Sequence, residues 1–431
     1  MSTARRGAVA LFLIFAFSYF ISALLRGVTA TLAPVFATEF GLTAGDLGLL
    51  AGAYFLGFAT TQLPLGSALD RYGPKRVLLT LLAAAVLGCA GFALARDFVG
   101  LTLARALIGV GVSACLMAPL TAFRHRFGAV GQLRANSWML MSGSLGMVAS
   151  TLPVQWLLPV LGWRGLFWVI AACTLLAMAG IARLVPPDAS SSIESAGAPE
   201  LPPPASASAT RYAEVWRHPT FVRFAPLGFF YYGGLIAVQS LWAGPWLIEV
   251  CGWTPRRSAQ GLFAINVAML LSFMAWGSVV PRLDARGWTA QRLIAHGAPL
   301  SIVALLLALL LGAQATAWVW VLFCVSCTVV SLSQPAVGLA LPSALAGRAL
   351  SAYNLVIFVG VFALQWGIGL TIDLLRALGA DTLSAYRGGF ALLTAGCVLS
   401  YVWFLCLSDR PEAVKLNQAA RTADNSPPCP D

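Results

Sequence analysis

The feature that most constrains this chain is a short charged interruption, residues Gly66–Val77, between two stretches that are almost purely apolar. The interruption packs four charged residues into a turn that also contains glycine and proline. A short basic turn between two membrane spans faces the cytoplasm under the positive-inside rule. The segment therefore predicts two membrane helices joined on the cytoplasmic side.

The composition extends this prediction to the whole chain. Of the 431 residues, 59% are hydrophobic and only 10% are charged, whereas soluble domains carry about 25% charged residues. A membrane helix needs roughly 20 apolar residues. We therefore predict an all-α polytopic membrane protein with twelve spans, at 8–32, 46–65, 77–95, 99–121, 137–159, 165–186, 222–247, 258–280, 294–314, 317–341, 350–372 and 388–408.

The basic residues predict the orientation. If both termini are cytoplasmic, 19 of the 27 lysines and arginines fall on the cytoplasmic side and six on the outer side. This asymmetry predicts a multi-pass protein of a bacterial inner membrane with both termini in the cytoplasm. It also accounts for the net charge of +11 without nucleic acid, because the surplus faces an anionic inner leaflet.

The chain divides into two similar halves. A polar, proline-rich and serine-rich stretch separates six spans from six. We predict an N-terminal six-helix bundle at 1–186, a cytoplasmic linker with an interfacial segment at 187–221, a second bundle at 222–408 and a polar tail at 409–431. When the halves are offset by 211 residues, several prolines, glycines and arginines coincide, among them Pro34 with Pro245, Gly41 with Gly252 and Arg71 with Arg282.

Four motifs resemble those of one transporter family. Within the turn, the pattern Gly-x-x-x-Asp-Arg-x-Gly-x-Lys/Arg-Arg is similar to the loop 2–3 signature of the major facilitator superfamily. Arg105–Gly111, Gly162–Trp168 and Arg348–Asn354 resemble further motifs of that family. The resemblance implies two pseudo-symmetric six-helix bundles and transport by alternating access. The family's antiporter signature in span 5 is not matched, which disfavours drug–proton antiport.

The resemblance also implies a gating role for the turn, through Asp70, Arg71, Gly73 and Arg76. Asp70 would tie neighbouring helix ends together in the outward-open state, while Arg71 and Arg76 help to lock that gate. Charge pairs and helix-end dipoles can form such a bistable contact. The alternative is a basic loop that only sets the topology.

Arg26 is the strongest candidate for substrate binding. An arginine within a membrane span is costly and usually faces a polar cavity, and its planar guanidinium suits a carboxylate or phosphate. The alternative is that Arg26 extends to the outer headgroups, because the predicted span ends about six residues later. Arg105, about two turns into span 4, faces either the same cavity or polar groups of a neighbouring helix.

Carboxylates are missing from the middle of every predicted span. A buried carboxylate proton relay is therefore poorly supported, and Thr43–Asp46 at the start of span 2 resembles a helix capping box. Uncharged candidates remain, and we favour Tyr231, Gln239 and Trp242 because span 7 lines the cavity in the family. Each could instead hold neighbouring helices together, as could the remaining candidates Tyr19, Tyr54, Gln62, Asn136, Gln155, Tyr232, Trp246, Asn266, Gln334, Asn354, Gln365 and Trp366.

These observations predict a secondary transporter for a small solute, with an organic anion favoured by the two intramembrane arginines. The alternatives are an exporter of drugs or hydrophobic compounds, and a sensor or assembly protein with a transporter fold. No enzyme motif, cofactor site or metal-ligand cluster is evident in the sequence. We expect a monomer in the lipid bilayer, with a proton or ion as the possible coupling partner and no nucleic acid.

Overall fold

The computed structural model describes residues 3–124, 129–185 and 212–407. The predicted polar tail and most of the predicted linker lie outside the described residues. The described residues form helices and turns without a β-strand. Ten helices of the described residues are long and apolar enough to cross a membrane. Because Ala44–Leu94 makes two spans and Ala129–Ala149 makes a further one, the predicted all-α fold with twelve spans in two six-helix halves is confirmed.

Spans 1 to 6 form the N-terminal half. Their helices are Thr3–Phe40 (span 1), Ala44–Leu94 (spans 2 and 3), Phe98–Val112 with Met117–Arg124 (span 4), Ala129–Ala149 (span 5) and Leu152–Leu184 (the end of span 5 and all of span 6).

Spans 7 to 12 form the C-terminal half. Their helices are Pro219–Val250 (span 7), Pro255–Asp284 (span 8), Ala290–Leu311 (span 9), Ala317–Ala340 (span 10), Ser343–Ala377 (span 11) and Thr382–Cys406 (span 12).

The molecule has two ends along the direction of its spans. The end that carries the start of span 1, the turn between spans 2 and 3 and the end of span 12 is called the basic end, and the opposite end is called the far end. Because successive spans alternate in direction, span 2 runs from the far end to the basic end, and span 11 runs the other way.

Span 1 is longer than the sequence predicted. The predicted end near Leu32 is wrong, since the helix continues to Phe40 and stops before Gly41, whose φ of 63° breaks it. The helix extends past the apolar run because its last polar groups find partners, with Glu39 accepting hydrogen bonds from Trp163 and Arg164 at 2.6 Å.

The turn between spans 2 and 3 is tighter than predicted. Helical structure runs from Ala44 to Leu94, interrupted only by Gly73. Its φ of 78° lies in the left-handed region that glycine tolerates, so one residue reverses the chain. The 51 residues would extend about 77 Å as one straight helix, which is enough for two spans.

The boundary of spans 5 and 6 is also corrected. The predicted span 137–159 is broken at Ser150 and Thr151, and a second helix begins at Leu152. Pro153 cannot donate the backbone hydrogen bond of a continuous helix but is well placed in a first turn. The two arms of Leu152–Leu184 meet at Gly162, where φ is 64°.

Glycines bring the two halves together at the far end. A Cβ on Gly48 of span 2 would lie 2.3 Å from the carbonyl oxygen of Gln365 in span 11. On Gly369 of span 11, a Cβ would lie 2.3 Å from the carbonyl oxygen of Ala44. The backbones of spans 2 and 11 therefore touch directly at the far end. A separate cavity of about 450 Å³ lies at that end, and its lining includes Thr31, Thr38, Gln155 and Pro255.

Candidate functional site

Arg26 lies deep within span 1. Because the helix ends at Phe40, Arg26 is fourteen residues, or about 21 Å, from the far end of the helix. Its side chain is half-buried and faces Tyr19, Tyr54 and Tyr232. The buried Nε has no hydrogen-bond partner among the described residues. This position counts against the alternative that Arg26 extends to the headgroups.

Arg105 lies on the other side of Tyr54. Its side chain is 1% exposed, and its guanidinium carbon is 4.9 Å from the centre of the Tyr54 ring. None of its three guanidinium nitrogens has a hydrogen-bond partner within the described part of the chain. Arg105 is therefore packed against the Tyr54 ring of the neighbouring span 2 and lines neither cavity.

Tyr54 connects the two arginines. Its hydroxyl donates a hydrogen bond to the carbonyl oxygen of Ser22 at 3.1 Å, one turn before Arg26 in span 1. A Cβ on Gly109 of span 4 would lie 2.0 Å from the Tyr54 carbonyl oxygen. Glycine thus lets span 4 approach span 2 closely enough for Arg105 to reach the ring.

These residues form the arginine–tyrosine cluster, defined as Arg26, Arg105, Tyr19, Tyr54 and Tyr232. It combines residues of spans 1, 2 and 4 with one residue of span 7, so it lies between the halves. No carboxylate faces either guanidinium among the residues that the structure describes. The cluster therefore carries two positive charges without a protein counter-charge, inside a low-dielectric region.

A cavity opens at the basic end, and none of the five cluster residues lines it. It has a volume of about 440 Å³ and lies between spans 2 and 4 of one half and span 11 of the other. The rings of Phe58 and Phe358, 4.4 Å apart, separate the cluster from this cavity along span 2. The lining includes Gln62, Asp70, Tyr212, Arg348 and Ser351.

Tyr212 fills part of the mouth of this cavity. It belongs to a short helical segment at 212–217, within the predicted interfacial segment. Its hydroxyl donates to the Leu63 carbonyl oxygen at 3.4 Å. Burial raises the pKa of the Tyr212 phenol by more than the nearby Arg348 guanidinium lowers it.

The three favoured residues of span 7 lie apart from the arginine–tyrosine cluster. Tyr231 is fully buried inside the C-terminal half, near Cys327 and Cys397. The Gln239 amide donates to Asn266 at 2.7 Å. The Trp242 indole donates to the Gln365 carbonyl oxygen at 3.1 Å. Their polar groups thus face the interior of one half.

Sequence reasoning ranked Tyr231 above its neighbour Tyr232, but the geometry favours Tyr232. The turn Gly228–Tyr232 is a π-helical turn, which places more than 3.6 residues in a turn and rotates the helix face. Ideal helical periodicity therefore does not reveal which of the two tyrosines faces the other half.

The predicted gating residues lie at the basic end. Asp70, Arg71 and Arg76 are exposed, and the Arg71 guanidinium lies over the Tyr72 ring at 5.2 Å. Asp70 forms no ion pair or hydrogen bond with another described residue, and it lines the cavity at the basic end. Gly73 is the kink itself. In this structure Asp70 therefore does not tie neighbouring helix ends together.

Comparisons with known proteins identify the family. The profile of the Major Facilitator Superfamily matches residues 15–365. The 3-(3-hydroxy-phenyl)propionate transporter of Escherichia coli K12 is 28% identical over 66% of this chain and 69% of its own length. The cis,cis-muconate transport protein of Acinetobacter baylyi is 31% identical over 32% of this chain and 34% of its own length. The crystal structure of a D-xylose–proton symporter, 14% identical, aligns over 94% of this chain and 99% of its own with a TM-score of 0.74.

Proposed function

Since this chain belongs to the Major Facilitator Superfamily, we propose that it is a secondary transporter that binds a small organic anion at the arginine–tyrosine cluster. Transport proceeds by alternating access of this cluster to the two ends of the molecule. The two halves proposed as rocking units are the six-helix bundles at 1–186 and 222–408.

The observation that carries this proposal is that two guanidinium groups lie close together without a carboxylate partner among the described residues, although Arg26 also forms a side-chain hydrogen bond with Tyr54. Arg105 is buried without a hydrogen-bond partner among the described residues, and the Nε of Arg26 also lacks one. A buried charge without a counter-charge destabilises a protein strongly. An anionic ligand supplies that counter-charge, and the guanidinium fork matches a carboxylate in a bidentate arrangement.

The tyrosines support an unsaturated or aromatic carboxylate as the substrate. Tyr19, Tyr54 and Tyr232 surround Arg26 with flat rings that can pack against a conjugated ligand. Their hydroxyls can also hydrogen-bond to substrate oxygens. The two relatives described above are named as carriers of 3-(3-hydroxyphenyl)propionate and cis,cis-muconate, which are acids of this kind.

The basic residues support the orientation. With the basic end in the cytoplasm of a bacterial inner membrane, the turn between spans 2 and 3 obeys the positive-inside rule. In that orientation spans 2 and 11 touch on the outer side, and the cavity lined by Asp70 and Arg348 opens to the cytoplasm. We propose that the monomer is the transporting unit, because the cluster is complete within one chain.

The proposal is tested by counterflow in proteoliposomes. Vesicles loaded with unlabelled cis,cis-muconate or 3-(3-hydroxyphenyl)propionate should accumulate the labelled acid in a saturable manner. Arg26→Gln should abolish this uptake. Arg164→Gln, which removes an arginine paired with Glu39 at the far end, is the matched control and should preserve it.

Other outcomes would replace this proposal. Counterflow of lipophilic cations alone would establish the exporter in its place. Binding of a carboxylate without counterflow would establish a sensor with a transporter fold. A pH gradient across the same vesicles tests for a coupling proton, which should accelerate net uptake of the acid.

A further inference from the structure

A carboxylate of one half holds the end of a helix in the other. Asp373, near the end of span 11, accepts a hydrogen bond from the backbone N–H of Ala44 at 3.0 Å. Its second oxygen accepts one from the N–H of Gly45 at 2.7 Å. Ala44 and Gly45 are the first two residues of span 2, so both bonds join the two halves at the far end.

The chemistry of a helix start explains the strength of this contact. The first N–H groups of a helix have no partner within it, and the helix dipole favours a negative charge there. Hydrogen bonds from such groups to a carboxylate are charge-assisted and stronger than neutral ones. Asp373 of span 11 thus supplies the negatively charged hydrogen-bond acceptor that the first N–H groups of span 2 lack within their own helix.

The start of span 2 has a second carboxylate, with a different role. Asp46 accepts from the Thr43 N–H at 3.0 Å, and the Thr43 hydroxyl accepts from the Asp46 N–H at 3.2 Å. This is the capping box that the sequence predicted, and the structure confirms it. Asp46 stabilises its own helix, whereas Asp373 joins two halves.

Close packing makes the Asp373 contact dependent on the conformation. A Cβ on Gly45 would lie 2.8 Å from the Asp373 carboxylate. Separation of spans 2 and 11 at the far end would therefore break both hydrogen bonds. Nearby, Arg376 is held by Glu249 at 2.6 Å, which leaves the Asp373 oxygens to the two backbone N–H groups.

The basic end of the same helix pair shows the opposite situation. Spans 2 and 11 are antiparallel, so Asp70 at the end of span 2 lies near the beginning of span 11. There it is exposed and lines the same cavity as Arg348. Asp373 is thus engaged where spans 2 and 11 touch, and Asp70 is unengaged where a cavity lies between them.

We propose that Asp373 is a latch that stabilises the closed far end and is released when that end opens. The two carboxylates at opposite ends of spans 2 and 11 are then engaged alternately. The latch affects the equilibrium between the open and closed far end. The proposal does not depend on which solute the protein carries.

The test is a distance measurement between two spin labels at the far end. One label replaces exposed Arg96, between spans 3 and 4, and the other replaces exposed Leu378, after span 11. Cys173, Cys251, Cys406 and Cys429 are changed to serine so that they do not react, and the remaining cysteines are buried. The measurement is made without substrate on the full chain in nanodiscs, and it gives the ratio of open to closed far ends.

Asp373→Asn should raise this ratio about tenfold, as expected for loss of one charge-assisted hydrogen bond, whereas Asp373→Glu should retain a mainly closed far end. Asp46→Asn is the matched control, because it removes the same charge from the same helix start without touching span 11. It should leave the ratio unchanged.

An unchanged ratio in Asp373→Asn would overturn the latch. So would an equal increase in Asp46→Asn, which would indicate general fraying of the helix start. Should Asp373→Asn fail to fold, Gly45→Ala provides the second variant, because its Cβ would displace the Asp373 carboxylate; an unchanged ratio there would also overturn the proposal.

Discussion

The guanidinium carbon of Arg105 lies 4.9 Å from the centre of the Tyr54 ring, and both side chains are buried between spans 2 and 4. The hydroxyl at the other end of that ring bonds to span 1 beside Arg26. One tyrosine thus connects both intramembrane arginines, and substitutions at Tyr54 can separate its two contributions.

Tyr54→Phe should weaken binding of the anionic substrate about three- to tenfold, because it removes a hydroxyl worth roughly 0.5–1.5 kcal/mol and keeps the ring. Tyr54→Leu removes the ring as well and should weaken binding further. Titration calorimetry on the purified protein measures both constants. Equal effects of the two substitutions would show that the ring contributes nothing.

Arg105→Met should stabilise the protein without ligand. The unbranched methionine fills similar space and removes an unpaired buried charge, so the free energy of unfolding should rise by about 1–3 kcal/mol. The same variant should lose anion counterflow. A lower melting temperature without ligand would instead show that the contact of Arg105 with the Tyr54 ring outweighs the cost of its unpaired charge.

Tyr232→Phe should weaken anion binding several-fold, whereas Tyr231→Phe should change it less than twofold. The two residues are neighbours of the same type, but only Tyr232 faces Arg26. Equilibrium binding of a labelled acid distinguishes them. A larger loss of binding in Tyr231→Phe than in Tyr232→Phe would instead support the sequence-based preference for Tyr231.

Gly109→Ala should destabilise the N-terminal half by about 1–3 kcal/mol, because the new methyl group would meet the Tyr54 carbonyl oxygen at 2.0 Å. Gly277→Ala is the control, since a Cβ there meets nothing within 4 Å. Thermal unfolding in detergent compares the variants. Equal melting temperatures would mean that spans 2 and 4 can separate without cost.

The sequence predicts most of the fold because membrane spans are specified by local composition. Long apolar runs, the basic turn at Gly73 and the Thr43 cap are all local signals, and the structure confirms each. The end of span 1 is predicted too early because an apolar run indicates the part of a helix inside the membrane, whereas the helix itself can continue beyond it. Span 1 continues to Phe40, and its Glu39 accepts hydrogen bonds from Trp163 and Arg164 at the start of span 6.

The candidate site is predicted only in part for a different reason. An arginine in an apolar run is visible in one sequence, so Arg26 and Arg105 stand out at once. Their connection through Tyr54 depends on how closely spans 2 and 4 approach, which only the structure reveals. The π-helical turn of span 7 likewise changes which tyrosine faces the other half.

The most direct test of anion binding at Arg26 is the thermal stability of the purified protein with 3-(3-hydroxyphenyl)propionate, cis,cis-muconate, a neutral sugar and a lipophilic cation. A ligand that binds only the folded state raises the melting temperature. We expect one or both acids to stabilise the native chain and Arg164→Gln, and to leave Arg26→Gln unchanged. Stabilisation by the cation alone, or by an acid equally in Arg26→Gln, would contradict the account.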